Sequence, residues 1–244
     1  MQPREVAASS VCAALYAGVG YLTYLGIFTP VIGVVRFWPA VVIPAIFGVL
    51  FGPMVGGIGA AIGIFISDIV IHGNALLSLS VGVTSNFVAF YLIGYLSRKR
   101  FNWMRTILGL GGGCVIITVI AYLMSKMLVL KEVAWLFIGV CIGSYLLIIV
   151  FGYLWPEWRS YGVGSVIGLG VGSSIVGFGV WAFSQLFVLP SNEFQLPLYA
   201  SLIWFVWTFS TEIPFLIVIV PPVLRVCYKV FPVLAPQQEA YKTT

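Results

Sequence analysis

The stretch 51–74, FGPMVGGIGAAIGIFISDIVIHGN, is apolar and glycine-rich, but its last residues include three polar groups that can hydrogen-bond to a ligand. Asp68 and His72 are four residues apart, so their side chains lie on one face of a helix, and Asn74 follows closely. An aspartate and a histidine at this spacing can also hydrogen-bond to each other. Two interpretations are therefore open. These residues line an outward-facing ligand site, or they are polar groups that finish a membrane helix.

Neither a metal site nor a catalytic site is predicted from these residues. His72 is the single histidine of the chain, and one histidine with one aspartate supplies too few ligands for a metal. Ser67, Ser78 and Ser80 are near it in sequence, but their spacing does not indicate an activated serine. The four cysteines lie in apolar runs without a CxxC spacing and are interpreted as packing residues. We predict a protein that is not an enzyme and that uses no cofactor.

Three more polar residues interrupt apolar segments farther along the chain. Glu212 lies near the middle of the last apolar segment, two residues before Pro214. Asn86 lies in the middle of the fourth segment, and Gln185 lies near the outer end of the seventh. A charged side chain at the centre of a membrane costs roughly 2.5–3.5 kcal/mol on insertion scales, so an acid there is expected to face protein or water. The sequence does not assign a role to Glu212.

The composition predicts a polytopic helical membrane protein. Hydrophobic residues make up 61% of the 244 residues, charged residues make up 8%, and the mean hydropathy is +1.11. Soluble domains carry about a quarter charged residues, so this class is excluded. The net charge of +5 is explained by anionic lipid, and no nucleic-acid partner is predicted. We expect one integral membrane domain over residues 1–234 and a short polar tail over 235–244.

Eight apolar segments are apparent, and the second is too short to cross a bilayer easily. It has about 15 residues and contains Pro44, and at about 1.5 Å per residue it barely spans the hydrocarbon. An all-α bundle of about eight spans is predicted, with six to eight possible. The segments are roughly 6–28, 38–52, 54–72, 76–97, 106–130, 133–154, 162–189 and 198–224.

The basic residues predict an orientation with both termini in the cytoplasm of a multi-pass cell-membrane protein. With eight spans and an inside N-terminus, most lysines and arginines fall inside, as the positive-inside rule requires. The inside residues are Arg4, Arg98, Lys99, Arg100, Arg105, Arg159, Arg225, Lys229 and Lys242, and the outside residues are Arg36, Lys126 and Lys131.

Small residues recur every four positions in the first, third and seventh segments. In the first segment they are Ser9, Ala13 and Ala17. In the third they include Gly52, Gly56 and Ala60, and the seventh contains glycines at the same spacing. Such rows lie on one helix face and allow close contact between backbones. They indicate packing within the protein, and the first row can also serve a separate partner helix.

The first hundred residues resemble a known family of membrane proteins. The run PAVVIPAIFGVLFGPMVGGIGAAIGIFISDIV, followed later by NFVAFYLIGYLSRKR, resembles the substrate-binding S-components of energy-coupling-factor (ECF) transporters. The matching features are the LFGP turn, the glycine-rich helix that ends in Asp68, and the helix that ends in basic residues. The spacing of Ala13 and Ala17 matches the family's docking face, and Ser9 extends it. S-components usually have six helices, so the later half of the chain departs from the pattern.

The resemblance implies a binder for a small nutrient, such as a vitamin, that enters from outside under the loop Thr29 to Phe37. It also implies a membrane coupling protein and cytoplasmic ATPases as partners. Arg36 can pair a ligand carboxylate or phosphate, or it is an exposed loop charge. Aromatic side chains can stack on a planar ring. The expected ligand-binding residues are Arg36, Phe37, Trp38, Asp68, His72, Asn74, Trp181, Gln185 and Trp204.

A second function class fits the same composition. Small-residue faces and few polar groups are also expected of a non-catalytic structural or accessory subunit in a larger membrane complex. A ligand that stays bound through gentle purification favours transport. Retention in a large complex without a ligand favours the accessory subunit.

Overall fold

The computed structural model describes residues 2–26, 31–32, 35–36, 38–125 and 131–234, and these ranges form a polytopic bundle of helices. Among them, seven helices are long and apolar enough to cross a membrane, which confirms the predicted fold class. The predicted tail 235–244 lies outside the described residues. The helices are α1 Pro3–Gly26, α2 Val42–Phe51, α3 Pro53–Ile71, α4 Ala75–Leu77, α5 Val83–Ser97, α6 Trp103–Ser125, α7 Lys131–Leu154, α8 Arg159–Leu186 and α9 Tyr199–Val230.

Short elements connect some of these helices. A π-helical turn, Ser78–Gly82, joins α4 and α5 into one span, Ala75–Ser97. Two-residue strands, β1 Val31–Ile32 and β2 Val35–Arg36, pair antiparallel between α1 and α2. Single 3-10 turns lie before α2, before α8 and after α9, over Pro39–Val41, Pro156–Trp158 and Pro232–Leu234.

The second apolar segment forms the short helix α2. Its 10 residues extend about 15 Å, roughly half of the hydrocarbon thickness. Pro44 is accepted there because it lies in the first helical turn, where backbone N–H groups have no partner within the helix. The seven full-length spans fall within the predicted range of six to eight.

The chain reverses direction at Gly52, between α2 and α3. Gly52 has a φ of 125°, a conformation that favours glycine. The two helices then pack with their backbones in contact, since a Cβ added at Gly56 would lie 2.7 Å from the Cα of Gly48. Helices α1 and α3 run in the same direction, which follows from the order of two contacts between them. Cys12 contacts Gly59, and farther along both helices Ser67 donates to the carbonyl of Ala17 at 3.5 Å.

Glycines also bring α8 against α5. A Cβ added at Gly168 would lie 2.7 Å from the carbonyl oxygen of Ala89, and one added at Gly164 would lie 3.2 Å from that of Ile93. The opposite order of these contacts makes α5 and α8 antiparallel. The glycine row of the seventh apolar segment is therefore a close-packing face, as its spacing predicts.

One end of the bundle collects most basic residues of the described ranges, and we call it the basic end. Here α1 begins and α9 ends, and Arg225 pairs with Glu157 at 2.9 Å. Helix α9 reaches this end because it continues through Pro221 and Pro222, which membrane helices tolerate. The other end, where α1 and α3 finish, is called the far end. The basic residues of the basic end are Arg4, Arg98, Lys99, Arg100, Arg105, Arg159, Arg225 and Lys229.

Helix α6 lies at the edge of the bundle. It packs mainly on α7, where the Tyr145 hydroxyl donates to the carbonyl of Ile107 at 3.3 Å, and most of its residues are exposed. Within the described ranges, no atom lies within 4 Å of a Cβ added at Gly109, Gly112 or Gly113, beyond the glycine's own neighbourhood. Substitutions at these three glycines can therefore serve as controls for substitutions at glycines that lie in close helix contacts.

Replacing Gly56 by alanine is expected to lower the thermal stability of the purified protein. The added methyl group meets backbone atoms of Gly48 and Pro44, which cannot move aside cheaply, so we expect a loss of about 1–3 kcal/mol. The matched control is Gly112→Ala, in the middle of an exposed helix, which should leave the midpoint unchanged or raise it slightly. Equal midpoints for the two variants in a detergent melting experiment would contradict the α2–α3 contact.

Candidate functional site

A cavity of about 110 Å³ lies inside the bundle, between α1, α3, α5, α8 and α9. One water molecule needs roughly 10–15 Å³ on this scale, so the space holds a small molecule or several waters. Much of the wall is apolar, which is typical of small-ligand sites. The two acids that the sequence places inside apolar segments both face this space. Its polar lining residues are Tyr16, Asp68, His72, Ser85, Asn86, Ser173, Thr208 and Glu212.

Asp68 lies on one side of the cavity, with a hydrogen-bonding serine and a histidine close to its carboxyl group. The Ser78 hydroxyl donates to its Oδ2 at 2.7 Å, and His72 Nε2 lies 3.4 Å from its Oδ1. The backbone N–H of Asn74 donates to His72 Nδ1 at 3.2 Å. Because Nδ1 accepts this bond, the ring carries a proton on Nε2, the nitrogen nearer to Asp68. Asp68 is 5% exposed, so these contacts replace water around a buried acid.

The π-helical turn brings both Ser78 and Gly82 to Asp68. A Cβ added at Gly82 would lie 2.6 Å from Asp68 Oδ2, so this position accepts no side chain while the carboxyl group stays in place. π-Helical turns within α-helices are frequent at functional sites. The turn here has a direct structural role, since it places a hydroxyl donor and a gap for the acid within one helical turn.

A second hydrogen-bonded group fixes the wall between α1 and α5. The Tyr16 hydroxyl donates to Asn86 Oδ1 at 2.7 Å, and Asn86 Nδ2 donates to the carbonyl of Gly82 at 2.9 Å. The Tyr16 ring meets Trp38 and Phe90 edge to face, at 6.2 Å and 6.1 Å between centroids. These contacts orient Tyr16 and Asn86, and the three aromatic residues all line the cavity.

Glu212 lies on the α8–α9 side, where the polar groups are unpaired within the described residues. Glu212 is 7% exposed, and it accepts no hydrogen bond from a residue in these ranges. Thr208 lies four residues before it on α9, and the hydroxyls of Thr208 and Ser173 are buried without a hydrogen-bond partner there. Buried polar groups normally have partners, so we expect water or a ligand in the cavity to supply them.

The structure brings three of the sequence-predicted ligand residues together at the cavity, namely Trp38, Asp68 and His72. Asn74 lies just beyond it and caps α4, where its Oδ1 accepts from the N–H of Leu77 at 2.9 Å. The backbone of Arg36 pairs with that of Val31 in the two-stranded ladder. Phe37 lies outside the described residues.

The other three predicted residues lie apart from the cavity, near the segment between α8 and α9. Trp181 Nε1 donates to the carbonyl of Leu196 at 3.1 Å, and Gln185 Nε2 donates to the same carbonyl at 2.9 Å. Trp204 is buried in an apolar cluster that includes Leu77 and Val81. Trp181 and Gln185 therefore hold this segment on the far end of the bundle, and the structure does not bring the three to Asp68.

Several cavity residues were not predicted as ligand residues. In the sequence, Glu212 and Asn86 stand out as polar residues within apolar segments. An ionisable residue in a membrane helix is itself a signal of function. Glu212 carries this signal, although it is not among the predicted ligand residues. Tyr16, Thr208 and Ser173 are ordinary residues in the sequence, and only the meeting of α1, α8 and α9 reveals them.

The predicted docking face of α1 is packed inside the protein. Ser9, Ala13 and Ala17 are buried, and Gly59 and Gly63 of α3 lie against this face. A Cβ added at Gly63 would lie 2.8 Å from the carbonyl oxygen of Ala13. The small residues thus allow α1 and α3 to touch, and in this structure they do not present a surface to a partner helix.

Compared with protein-family models, with curated proteins and with solved structures, the chain matches none of them. The resemblance to S-components therefore stays a prediction.

Replacing Ser78 by alanine removes a donor from a buried acid and should cost about 1–3 kcal/mol. Ser80→Ala is the matched control, because Ser80 is exposed on the same π-helical turn and its hydroxyl bonds to the carbonyl of Leu76. We expect a lower melting temperature for Ser78→Ala and little change for the control. The Asp68–Ser78 contact is wrong if both variants melt like the unmodified protein.

Proposed function

We propose that the chain is the membrane-embedded substrate-binding subunit of an ECF-type uptake transporter for a vitamin or micronutrient. The observation that supports this most is the cavity, where polar groups from five helices converge inside a bundle that is otherwise apolar. Polar side chains in membrane segments are costly, so their concentration around one space indicates binding. Apolar walls with a few oriented polar groups are what small-molecule recognition requires.

The position of the cavity agrees with ligand entry from outside. His72 follows the last residue of α3 and is a lining residue, so the cavity extends toward the far end of the bundle. The positive-inside rule predicts that the basic end faces the cytoplasm and the far end faces outward in the cell membrane. A ligand from outside would then meet His72 and Asp68 first.

Transport by such a subunit needs energy from separate proteins. The 244 residues contain no GxxxxGK[ST] sequence, and in this proposal a coupling protein and cytoplasmic ATPases supply the energy. Because Ser9, Ala13 and Ala17 are buried against α3, the coupling protein contacts a different surface. Small residues Ala14 and Gly18 lie on the exposed side of α1.

One observation favours the accessory-subunit alternative. Helix α6 is mostly exposed, and Gly109, Gly112 and Gly113 lie along it without close neighbours. Small residues of this kind allow close approach of another membrane helix. This alternative explains the surface of α6 but not the polar cavity, so we prefer the binding subunit.

Filling the cavity should remove the bound molecule. Val176 of α8 lines the cavity, and an indole there, in Val176→Trp, would occupy much of the space. Val171→Trp is the matched control, since Val171 lies on the same helix and is 38% exposed at the bundle surface. After gentle purification from the native host, we expect mass spectrometry to find a stoichiometric small molecule in the unmodified protein and in the control, but not in Val176→Trp.

Two results would contradict the proposal. The first is a protein that retains no small molecule and purifies in a stable complex without ATPases, which supports the accessory subunit. The second is equal retention by Val176→Trp and Val171→Trp, which places the bound molecule elsewhere.

A further inference from the structure

The two acids of the cavity differ in the partners that the protein gives them. Asp68 receives the Ser78 hydroxyl and lies beside His72 Nε2. Glu212, which is equally buried, receives no hydrogen bond from the described residues. Asp68 thus receives a hydrogen bond from the protein, whereas Glu212 lines the cavity without a donor among the described residues.

Glu212 also has two hydroxyl neighbours around the same space. Thr208 lies one turn earlier on α9, and Ser173 comes from α8. Both hydroxyls are buried, and neither has a hydrogen-bond partner in the described part of the chain. The corner of the cavity formed by Glu212, Thr208 and Ser173 is called the α8–α9 corner. It offers a carboxyl group and two hydroxyl oxygens as acceptors.

Among the described residues, the α8–α9 corner contains an acidic side chain and no basic side chain. Among the described lining residues there is no lysine or arginine, and His72 lies beside Asp68. A buried carboxylate without a cation is costly, and the cost is relieved when a cation with hydrogen-bond donors is bound. A primary ammonium group has three N–H donors and no acceptor, which matches a carboxylate with two hydroxyls.

We propose that the α8–α9 corner binds a primary ammonium group, so that the molecule taken up is a small organic amine. This inference rests on the proposed function, because it names the chemical class of the ligand of the same cavity. The Glu212 carboxylate supplies the charge, and the hydroxyls of Thr208 and Ser173 orient the remaining N–H groups. Asp68 and His72 contact the opposite end of the ligand.

The inference is tested with three probes of one chain length, n-butylammonium chloride, n-butanol and sodium butyrate, and with sodium chloride at equal ionic strength. Thermal melting of the purified protein in detergent gives the readout. We expect a saturable rise of the melting temperature with butylammonium and no saturable rise with the other three. A concentration range up to about 10 mM covers weak, millimolar binding.

Variants then locate the site. Glu212→Gln keeps the shape of the side chain and should abolish the butylammonium effect, whereas Glu132→Gln, an exposed acid at the start of α7, should keep it. Thr208→Val should weaken the apparent affinity roughly tenfold, since it loses one hydrogen bond to a charged group. This second variant also tests the site independently of the folding of Glu212→Gln.

Four results would overturn the inference. They are equal stabilisation by butanol and butylammonium, equal stabilisation by sodium chloride, no saturable effect of butylammonium, and an unchanged effect in both Glu212→Gln and Thr208→Val. These outcomes are distinct from failure of the proposed function. If the molecule that the unmodified protein retains in the Val176→Trp experiment is neutral or anionic, the amine ligand is wrong, but the binding-subunit proposal stands. If the protein binds butylammonium but never associates with a coupling protein and ATPases, the ammonium site stands, but the transporter proposal is wrong.

Discussion

The hydrogen bond between Ser78 and Asp68 is the interaction on which the cavity depends. An acid inside an apolar bundle must be paired by protein groups or by bound molecules, since lipid offers none. The pairing requires α3 and the π-helical turn to lie side by side, with Gly82 leaving room for the carboxyl group. Tyr16 donates to Asn86, and Asn86 in turn donates to the carbonyl of Gly82, so these two bonds tie α1 into the same wall.

Close helix contacts make this arrangement possible. Gly56 against Gly48 sets the spacing of α2 and α3, and Gly168 against Ala89 sets the spacing of α5 and α8. The cavity lies among these same helices, and Ala89 and Gly172 are among its lining residues. The close glycine contacts therefore position the helices that surround the cavity.

The sequence predicts the apolar helices well, because in a membrane each span must satisfy its own backbone and therefore shows as a long apolar run. Asp68, His72 and Trp38 were also predicted as ligand residues, from the cost of polar groups in such runs and from a family resemblance. The sequence does not predict which polar residues lie near Glu212 in the cavity. Thr208 follows from helical spacing, but Ser173 comes from another helix, and the sequence does not say which faces of α8 and α9 meet.

The row of Ser9, Ala13 and Ala17 illustrates the same limit. Its spacing indicates a close helix contact, and the structure has one, but spacing does not distinguish a helix of the same chain from a helix of a partner. Here the contact is made by Gly59 and Gly63 of α3. The spacing rule correctly predicts a close helix contact, but only the fold shows which helix makes it.

The central claim is that the cavity between Asp68 and Glu212 holds a small molecule. The most direct measurement is a high-resolution experimental structure of the protein purified gently from its native host, without added ligand. We predict a non-protein molecule in the cavity, with a donor atom within hydrogen-bond distance of Glu212 and of the Thr208 hydroxyl. A cavity that contains water alone, or that closes so that side chains of the protein pair with Glu212, would contradict the claim.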